Sequence, residues 1–439
     1  MTDNRSVQFH IEPGGSLQGE MRVPGDKSIS HRSIMLGSLA DGINEVSGFL
    51  EGEDSLATLA AFRAMGVAIE GPEAGRVTIR GVGMHGLSQP AAALDLGNSG
   101  TSMRLMAGLL AGQAFDATLT GDASLSGRPM RRVVNPLGDM GAAIKTTEAG
   151  TAPLGIRGGA ALHGIDYVLP VASAQVKSSV LLAGLYASGR TCVTEPAPTR
   201  DHTERMLAGM GYPIQRQGSR VCLEGGHSLQ GITIDIPADI SSAAFFLVGA
   251  SIAPGSDLLL QHVGINPTRT GVIDILRLMG ADIAVINPRE AGGEPVADLR
   301  VRSADLMGIE IPPELVPLAI DEFPVLFVAA ACASGRTVLT GAEELRVKES
   351  DRIQVMADGL VALGIDAQAT PDGMIIEGGL LHGGAVDSHG DHRIAMAFAI
   401  GALHASGNIN IRDCANVNTS FPGFVDLAAQ AGLHISATA

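Results

Sequence analysis

The sequence predicts an α/β fold, with helices and short strands mixed in two similar globules. Three observations carry that expectation. Two kinds of helical segment each recur six times, short β-rich runs such as Arg76–Arg80 and Ile232–Ile236 lie between them, and 439 residues suffice for more than one domain.

The first kind of segment is a small-residue apolar helix that stops at glycine. It is read at His31–Gly42, Gly100–Gly112, Ala174–Gly189, Ser241–Gly255, Phe323–Gly335 and Ile394–Gly407. Each is apolar nearly all round, so each should be buried. The second kind is an amphipathic helix running through a glycine turn into a short strand, as in Leu59–Ile69, Val134–Ile144 and Ile273–Ile283. The turn glycines of its six copies are Gly66, Gly141, Gly211, Gly280, Gly364 and Gly432. The chain therefore reads as six copies of a unit of about 73 residues, a period too long for common solenoids. Three units make a globule of about 200 residues, a normal domain size. The seam should fall between the third and fourth copies, near Gly231–Asp239.

Composition narrows the function classes. The chain is 45% hydrophobic but only 3% aromatic, has no Trp, and carries 57 Gly, which suits cores of small side chains packed backbone to backbone. Its net charge of −16 argues against a nucleic acid or an anionic membrane surface as partner. The lysines are Lys27, Lys145, Lys177 and Lys348, so nearly all positive charge is Arg. Any anion must be bound locally, against the overall field. The longest apolar stretches, Ala243–Pro254 and Pro324–Ala333, are shorter than the ~20 residues that span a bilayer. Met1–Gly19 is polar and lacks a signal-peptide pattern. Cys192, Cys222, Cys332 and Cys414 show no C-x-x-C spacing and read as buried thiols of a reducing compartment. A cytoplasmic protein is expected.

Charge is concentrated in one decamer, Glu343–Arg352, where seven of ten residues are charged against 17% in the chain. Leu345 and Val347 alternate with Arg346 and Lys348 like a strand end, Ser350 reads as an N-cap, and Ile353, Met356, Leu360 and Leu363 follow at helical spacing. Such a run is commonly a solvated helix start. A strand-to-helix junction also presents free N–H groups and a positive helix end, where an anion and a carboxylate can be held together.

Polar residues crowd the starts of the six apolar helices too: Asp26–Arg32, Gly97–Arg104, Ser173–Ser178, Asp239–Ser242, Asp321-Glu322 and Asp391–Arg393. Ser and Asp there need be no more than caps. Caps do not require Lys27, Arg32, Arg104, Gln175 or Arg393, and these donors match phosphate and carboxylate. Helix dipoles aimed at a common place make a composite anion site. Two other readings fail on context. Gly81–Gly86 fits G-x-G-x-x-G, but Pro90 follows rather than a helix, and His382, His389 and His392 lack a matching metal-ligand set.

Taken together, these residues resemble the 5-enolpyruvylshikimate-3-phosphate synthase family, nearest to its bacterial glyphosate-tolerant branch. The likeness runs from about Gly19 to Phe424. It rests on eight motifs in order: Pro-Gly-Asp-Lys-Ser-Ile-Ser-His-Arg (24–32), Leu-Gly-Asn-Ser-Gly-Thr (96–101), Gly-Asp-Ala-Ser-Leu-Ser-Gly-Arg-Pro-Met (121–130), Ser-Ala-Gln-Val-Lys-Ser (173–178), Thr-Arg-Asp-His-Thr-Glu (199–204), Asp-Glu-Phe-Pro (321–324), Leu-Arg-Val-Lys-Glu-Ser-Asp-Arg (345–352) and Asp-His-Arg-Ile-Ala-Met (391–396). The resemblance implies two globules of three βαβαββ units with buried parallel helices, the enolpyruvyl transferase fold. One globule would comprise residues 23–236 and the other residues 1–22 and 237–439, with the active site in the cleft between them.

The implied reaction moves the enolpyruvyl group of phosphoenolpyruvate to the 5-hydroxyl of shikimate 3-phosphate and releases phosphate, a step toward chorismate and the aromatic amino acids. Residue by residue, Lys27, Ser28, Arg32, Ser173, Ala174, Gln175, Arg200, Asp321 and Lys348 match the contacts to shikimate 3-phosphate. Lys27, Gly100, Arg128, Gln175, Arg352 and Arg393 match those to phosphoenolpyruvate. Asp321, Glu349 and Lys27 match the catalytic groups. No metal, cofactor or macromolecular partner is implied, and a monomer is expected. The chemistry suits these types: both substrates carry phosphate and carboxylate, which Arg holds bidentately, and two placed acid/base groups serve the addition and elimination.

The sequence departs from the family at one place. Many members carry a lysine before Thr-Phe-Pro near the C-terminus, where this chain has Thr419 in Asn418–Pro422. Gly100 matches glyphosate-sensitive members although the rest leans to the tolerant branch. Two rivals are a UDP-N-acetylglucosamine enolpyruvyl transferase and a catalytically inactive anion-binding relative. The first usually has a reactive Cys before its Arg-Pro, where this chain has Ser124–Gly127 before Arg128-Pro129. The second would not need both Asp321 and Glu349 beside anions.

Overall fold

Small-residue helices and short strands alternate through residues 7–438, which the computed structural model describes, and the chain forms two compact units. One unit comprises residues 25–236 with 290–294; the other comprises residues 7–24, 237–289 and 295–438. The expectation for residues 1–6 lies outside the described residues.

The first unit holds helices α1 (Lys27–Leu39), α2 (Glu53–Ala64), α3 (Gly100–Ala111), the single turn α4 (Ala123–Ser126), α5 (Arg131–Asp139), α6 (Ala174–Gly184) and α7 (His202–Gly209). The second holds α8 (Ile240–Ile252), α9 (Gly271–Leu278), α10 (Phe323–Cys332), α11 (Arg352–Ala362), α12 (His392–Gly401) and α13 (Phe424–Ala431). Helices α1, α3 and α6, and likewise α8, α10 and α12, are the apolar ones, buried along almost their whole length. Glycine and serine permit this. A Cβ on Gly108 of α3 would lie 2.0 Å from the Ser179 carbonyl oxygen of α6, so these two helices meet backbone to backbone. The amphipathic helices α2, α5, α7, α9, α11 and α13 each lead into one of the six turn glycines. All six have positive φ, from 81° at Gly211 to 120° at Gly432, a conformation that a side chain would strain.

Each unit contains three small sheets, and the pairing pattern repeats. A strand pairs in parallel with the strand leaving a buried helix, which then pairs antiparallel with the last strand of a hairpin. Asp166–Val168, Arg190–Thr194 and Arg220–Glu224 show it in one sheet, and Leu94–Asp95, Ala117–Thr120 and Leu154–Arg157 in another. Each repeat thus donates a strand to the next. Leu229–Gln230 and Thr233–Asp235 return to pair in parallel with Ala40–Ser47 of the first repeat, closing a ring of three. In the second unit the ring is closed by the chain's beginning. Gln8–Ile11 lies between Ile409–Arg412 and Ile435–Thr438, and Gln18–Met21 pairs in parallel with Asp257–Gly264. One hydrophobic core fills each ring.

Three local expectations are corrected. Glu343–Val347 is a 3₁₀ turn rather than a strand end, with Leu345 buried and Val347 49% exposed. Short alternation over five residues fits a 3₁₀ turn as well as a strand, and only the partner strand is missing. The cap of α11 is Asp351, which accepts from Gln354 N at 3.1 Å, while Ser350 Oγ donates to Asp391 at 3.1 Å. Cys192 and Cys222 are not free thiols: they face each other across antiparallel strands and are disulfide-bonded. Their 30-residue separation hides a register that only strand pairing reveals. Cys332 and Cys414 are free, and burial pushes both thiols up to about 12.

Candidate active site

In the first unit the starts of the buried helices gather cations. Asp26 caps α1 and Ser99 caps α3, so Lys27, Ser28 and Gly100 sit at positive helix ends. Lys27 Nζ lies 2.5 Å from Asp54 Oδ2, in the first turn of α2. Arg32 is 4% exposed and ties three helices together. Its Nε donates to Thr203 Oγ1 of α7 at 2.7 Å, its NH2 to Ser178 Oγ of α6 at 2.9 Å, and its NH1 to the Ser28 carbonyl at 2.9 Å. Burial lowers this guanidinium to about 10, with Glu204 and Asp26 opposing the shift and Arg200 adding to it. Arg200 is thus electrically part of the same group. His31, between Lys27 and Arg32, is held well below its ordinary value by burial and by those two cations, so it is neutral.

A second knot of donors lies at the starts of α3 and α6. Ser173 caps α6, whose first residue is Ala174. Gln175 Nε2 donates to Thr101 Oγ1 at 3.0 Å, and its carbonyl oxygen accepts from Arg104 NH1. Arg128 NH2 donates to Asn98 Oδ1 at 2.6 Å. Gly100 lies between the two arginines: a Cβ there would be 3.1 Å from Arg104 NH1 and 3.2 Å from Arg128 NH1. Any side chain at 100 would intrude on both guanidinium tips.

The second unit carries the acids. Asp321 precedes α10, Lys348 and Glu349 precede α11, and Arg352 opens α11. Arg352 is 1% exposed and is ringed by carboxylates. Its Nε donates to Asp391 Oδ2 at 2.8 Å, its NH2 to Glu349 Oε2 at 2.6 Å, and its NH1 to Asp321 Oδ1 at 3.4 Å. Burial opposes its charge, but Asp391, Glu349 and Asp321 outweigh that and raise its pKa. Lys348 Nζ is 3.3 Å from Asp321 Oδ1. Arg393 donates to the Asp321 carbonyl at 2.9 Å and lies 3.6 Å from Glu322.

Sequence reasoning therefore named groups that meet within each unit: Gly100, Arg128 and Gln175 around Arg104, then Arg32 with Lys27 and Arg200 beside it, then Asp321, Lys348, Glu349, Arg352 and Arg393. It missed the partners Asp54, Asn98, Thr203 and Glu322, and it took Asp391 for a cap. Asp391 is a cap, accepting from Arg393 N at 2.9 Å, but it is equally the main counter-charge of Arg352. Asn98 and Asp391 stood inside quoted motifs and could have been found. Asp54 sits in an ordinary helix start with no such signal. Thr419 is 5% exposed and donates to the Asn416 carbonyl at 2.7 Å, so its hydroxyl is committed locally. No group of three or more His, Cys, Asp or Glu that could hold a metal occurs among the described residues.

A basic half and an acid-bearing half, each on helix starts of a three-repeat ring, make a strong constraint on relatives. The family model for EPSP synthase (3-phosphoshikimate 1-carboxyvinyltransferase) matches residues 11–427. The chain belongs to the EPSP synthase family. A 3-phosphoshikimate 1-carboxyvinyltransferase from Methylococcus capsulatus is 72% identical over 432 residues, covering 98% of this chain and 99% of that relative. The enzyme of the same name from Alkalilimnicola ehrlichii is 72% identical over 431 residues, covering 98% and 97%. Among solved structures, an EPSP synthase from Acinetobacter baumannii superimposes with a TM-score of 0.90 at 60% identity over 99% of this chain and all of that one. The two-domain enolpyruvyl transferase fold and the carboxyvinyl transferase activity of the shikimate pathway follow from this membership. No helix among the described residues is long and apolar enough to cross a membrane.

Proposed function

We propose that the two charged clusters act on one pair of substrates, the basic cluster holding phosphate and carboxylate groups and the acid-bearing cluster moving protons. The EPSP synthase family uses shikimate 3-phosphate and phosphoenolpyruvate. In this reading Ser28, Arg32, Ser173, Ala174, Gln175 and Arg200 hold shikimate 3-phosphate, with Lys27, Asp321 and Lys348 near its reacting hydroxyl. Lys27, Arg128, Gln175, Arg352 and Arg393 hold phosphoenolpyruvate against Gly100. The two units described above serve as the lobes that carry these clusters.

The observation that carries the reading is the geometry at Arg352. One buried guanidinium holds Glu349 at 2.6 Å and Asp321 at 3.4 Å, so both acid/base groups are fixed beside an anion-binding cation. An incoming substrate anion competes with Glu349 for Arg352. The released carboxylate takes up a proton from solvent and gives it to the methylene carbon as the 5-hydroxyl, losing its proton to Asp321, bonds to the neighbouring carbon. The C–O bond to phosphate then breaks, Glu349 takes back a methyl proton, and the leaving phosphate, steadied by Lys27, picks up the proton held by Asp321. A monomer in the cytoplasm belongs to the same reading, the compartment because both substrates are phosphorylated anions that do not cross membranes unaided. In that compartment the Cys192–Cys222 pair would be open to reduction.

Phosphate release with phosphoenolpyruvate plus either shikimate 3-phosphate or UDP-N-acetylglucosamine, with a chelator present, tests the assignment. Release with the first acceptor alone supports it. Release with the second means the acceptor residues are misassigned, and silence with both means the clusters only bind.

A further inference from the structure

We infer that Lys177 is a positioning residue for the acceptor substrate, holding in place the loop that carries Arg200. The inference rests on the reading above, in which Arg200 contacts the phosphorylated acceptor.

Lys177 lies in the first turn of α6 and its side chain is 1% exposed. Its Nζ is 2.9 Å from Glu195 Oε2 and 2.7 Å from Glu204 Oε1, carboxylates that are themselves 3% and 7% exposed. It also donates to the Thr199 carbonyl at 3.5 Å. Glu195 Oε2 accepts from Thr199 Oγ1 at 2.6 Å, and its Oε1 accepts from Arg216 NH2 at 3.1 Å. Arg216 NH1 reaches Asp201 Oδ2 at 3.5 Å, and Asp201 Oδ1 accepts from Arg205 Nε at 2.9 Å. The seven residues 195–201 are thus held at their start, at Thr199 and at their end, and Pro196 and Pro198 fix two φ angles between. Arg200 stands between two of the held residues.

The ordinary account of such a cluster is core stability, and it is weak here. Buried ion pairs roughly break even against apolar side chains of the same volume, and their best-attested use is to fix one arrangement among several. Helix capping does not explain it either, since Ser173 already caps α6. The charges suggest what is being fixed. Glu204 faces Arg32 as well as Lys177, and it lies four residues beyond Arg200 in the chain. With Lys177 in place, the two carboxylates share its ammonium, and Glu195 has Arg216 besides. Without it, Glu195 keeps Arg216, whereas Glu204 is left to draw in Arg200, a guanidinium assigned to the acceptor. Lys177 thereby does two things with one ammonium: it tethers the loop, and it occupies the acids that compete with substrate.

The test is a kinetic cycle on the full-length enzyme with Thr199→Val, Lys177→Met and Arg200→Ala. Thr199→Val keeps the shape and removes only the hydroxyl that Glu195 accepts. It should raise KM for shikimate 3-phosphate about tenfold, and Lys177→Met about 10- to 100-fold, as a displaced binding group does. KM for phosphoenolpyruvate and kcat should stay within about twofold, because uniform binding of one substrate alone is lost. Lys177→Arg should recover part of the loss. In the Arg200→Ala background the added effect of either substitution should vanish. Equal rises in both KM values, a fall in kcat alone, or an undiminished effect in that background would overturn the positioning role. If Lys177→Met does not fold, the Thr199→Val arm decides by itself. An Arg200→Ala variant with unchanged acceptor KM would overturn the reading of Arg200 itself, a result separable from the others.

Discussion

Arg352 Nε donates to Asp391 Oδ2 at 2.8 Å, and the two side chains are 1% and 0% exposed. This pair joins the starts of α11 and α12 and turns the rest of the guanidinium toward Glu349 and Asp321. Asp391→Asn keeps the shape and removes the charge. Breaking a buried pair from one side costs about 3–5 kcal/mol, so the denaturation midpoint should fall clearly. kcat/KM for phosphoenolpyruvate should fall with it. A midpoint and a kcat/KM both equal to those of the parent would mean that the pair has no such role.

Glu349→Ala should separate chemistry from binding. A group that transfers a proton in the transition state contributes about 10²–10⁴-fold to turnover. The expected result is a kcat loss of that size with acceptor affinity nearly unchanged. Arg200→Ala should do the reverse, weakening acceptor binding with a smaller effect on kcat. Alike profiles from steady-state kinetics would show the role assignments to be wrong.

Gly100→Ala tests the crowding between Arg104 and Arg128. The added methyl would stand 3.1 and 3.2 Å from the two guanidinium tips, which must shift by a few tenths of an ångström. Both are flexible ends, so the fold should survive. KM for phosphoenolpyruvate should rise about tenfold, with KM for shikimate 3-phosphate little changed. The resemblance at Gly100 also implies sensitivity to glyphosate. An inhibition constant far above the KM for phosphoenolpyruvate would refute that sensitivity.

His31 supplies a pH dependence whose sign follows from burial. Its folded-state pKa lies well below 6.5, because burial and then Lys27 and Arg32 disfavour its charge. The unfolded chain therefore takes up the proton first as pH falls. Its contribution to stability is full above about pH 6.5 and is lost below it, by at most about 1.4 kcal/mol per pH unit. His31 Nδ1 is 2.8 Å from Thr58 Oγ1, so His31→Asn keeps a polar partner. Denaturation midpoints of this variant measured between pH 7 and 5 should decline less steeply than those of the parent.

The repeat was legible because its physics is local. Glycine at 66, 141, 211, 280, 364 and 432 marks turns whose positive φ only glycine adopts freely, and the helix before each shows its periodicity in the residues themselves. The charged types at the helix starts were equally visible, since a buried helix end has no need of Lys or Arg. What the decamer Glu343–Arg352 does was less so. Its alternation suits both a strand end and a 3₁₀ turn, and Ser350 and Asp351 are both able caps.

Sequence alone therefore determined the α/β class, the six repeats, the basic and acidic residue types and, through eight ordered motifs, the family. Tertiary structure decided the pairings. That Asp321 and Asp391 join Glu349 around one guanidinium, that Asp54 meets Lys27, and that Cys192 lies opposite Cys222 depend on contacts between residues 27 to 39 positions apart in the chain. Periodicity and capping act within a few residues, whereas these contacts are fixed by how rings of three repeats close, which no local pattern encodes.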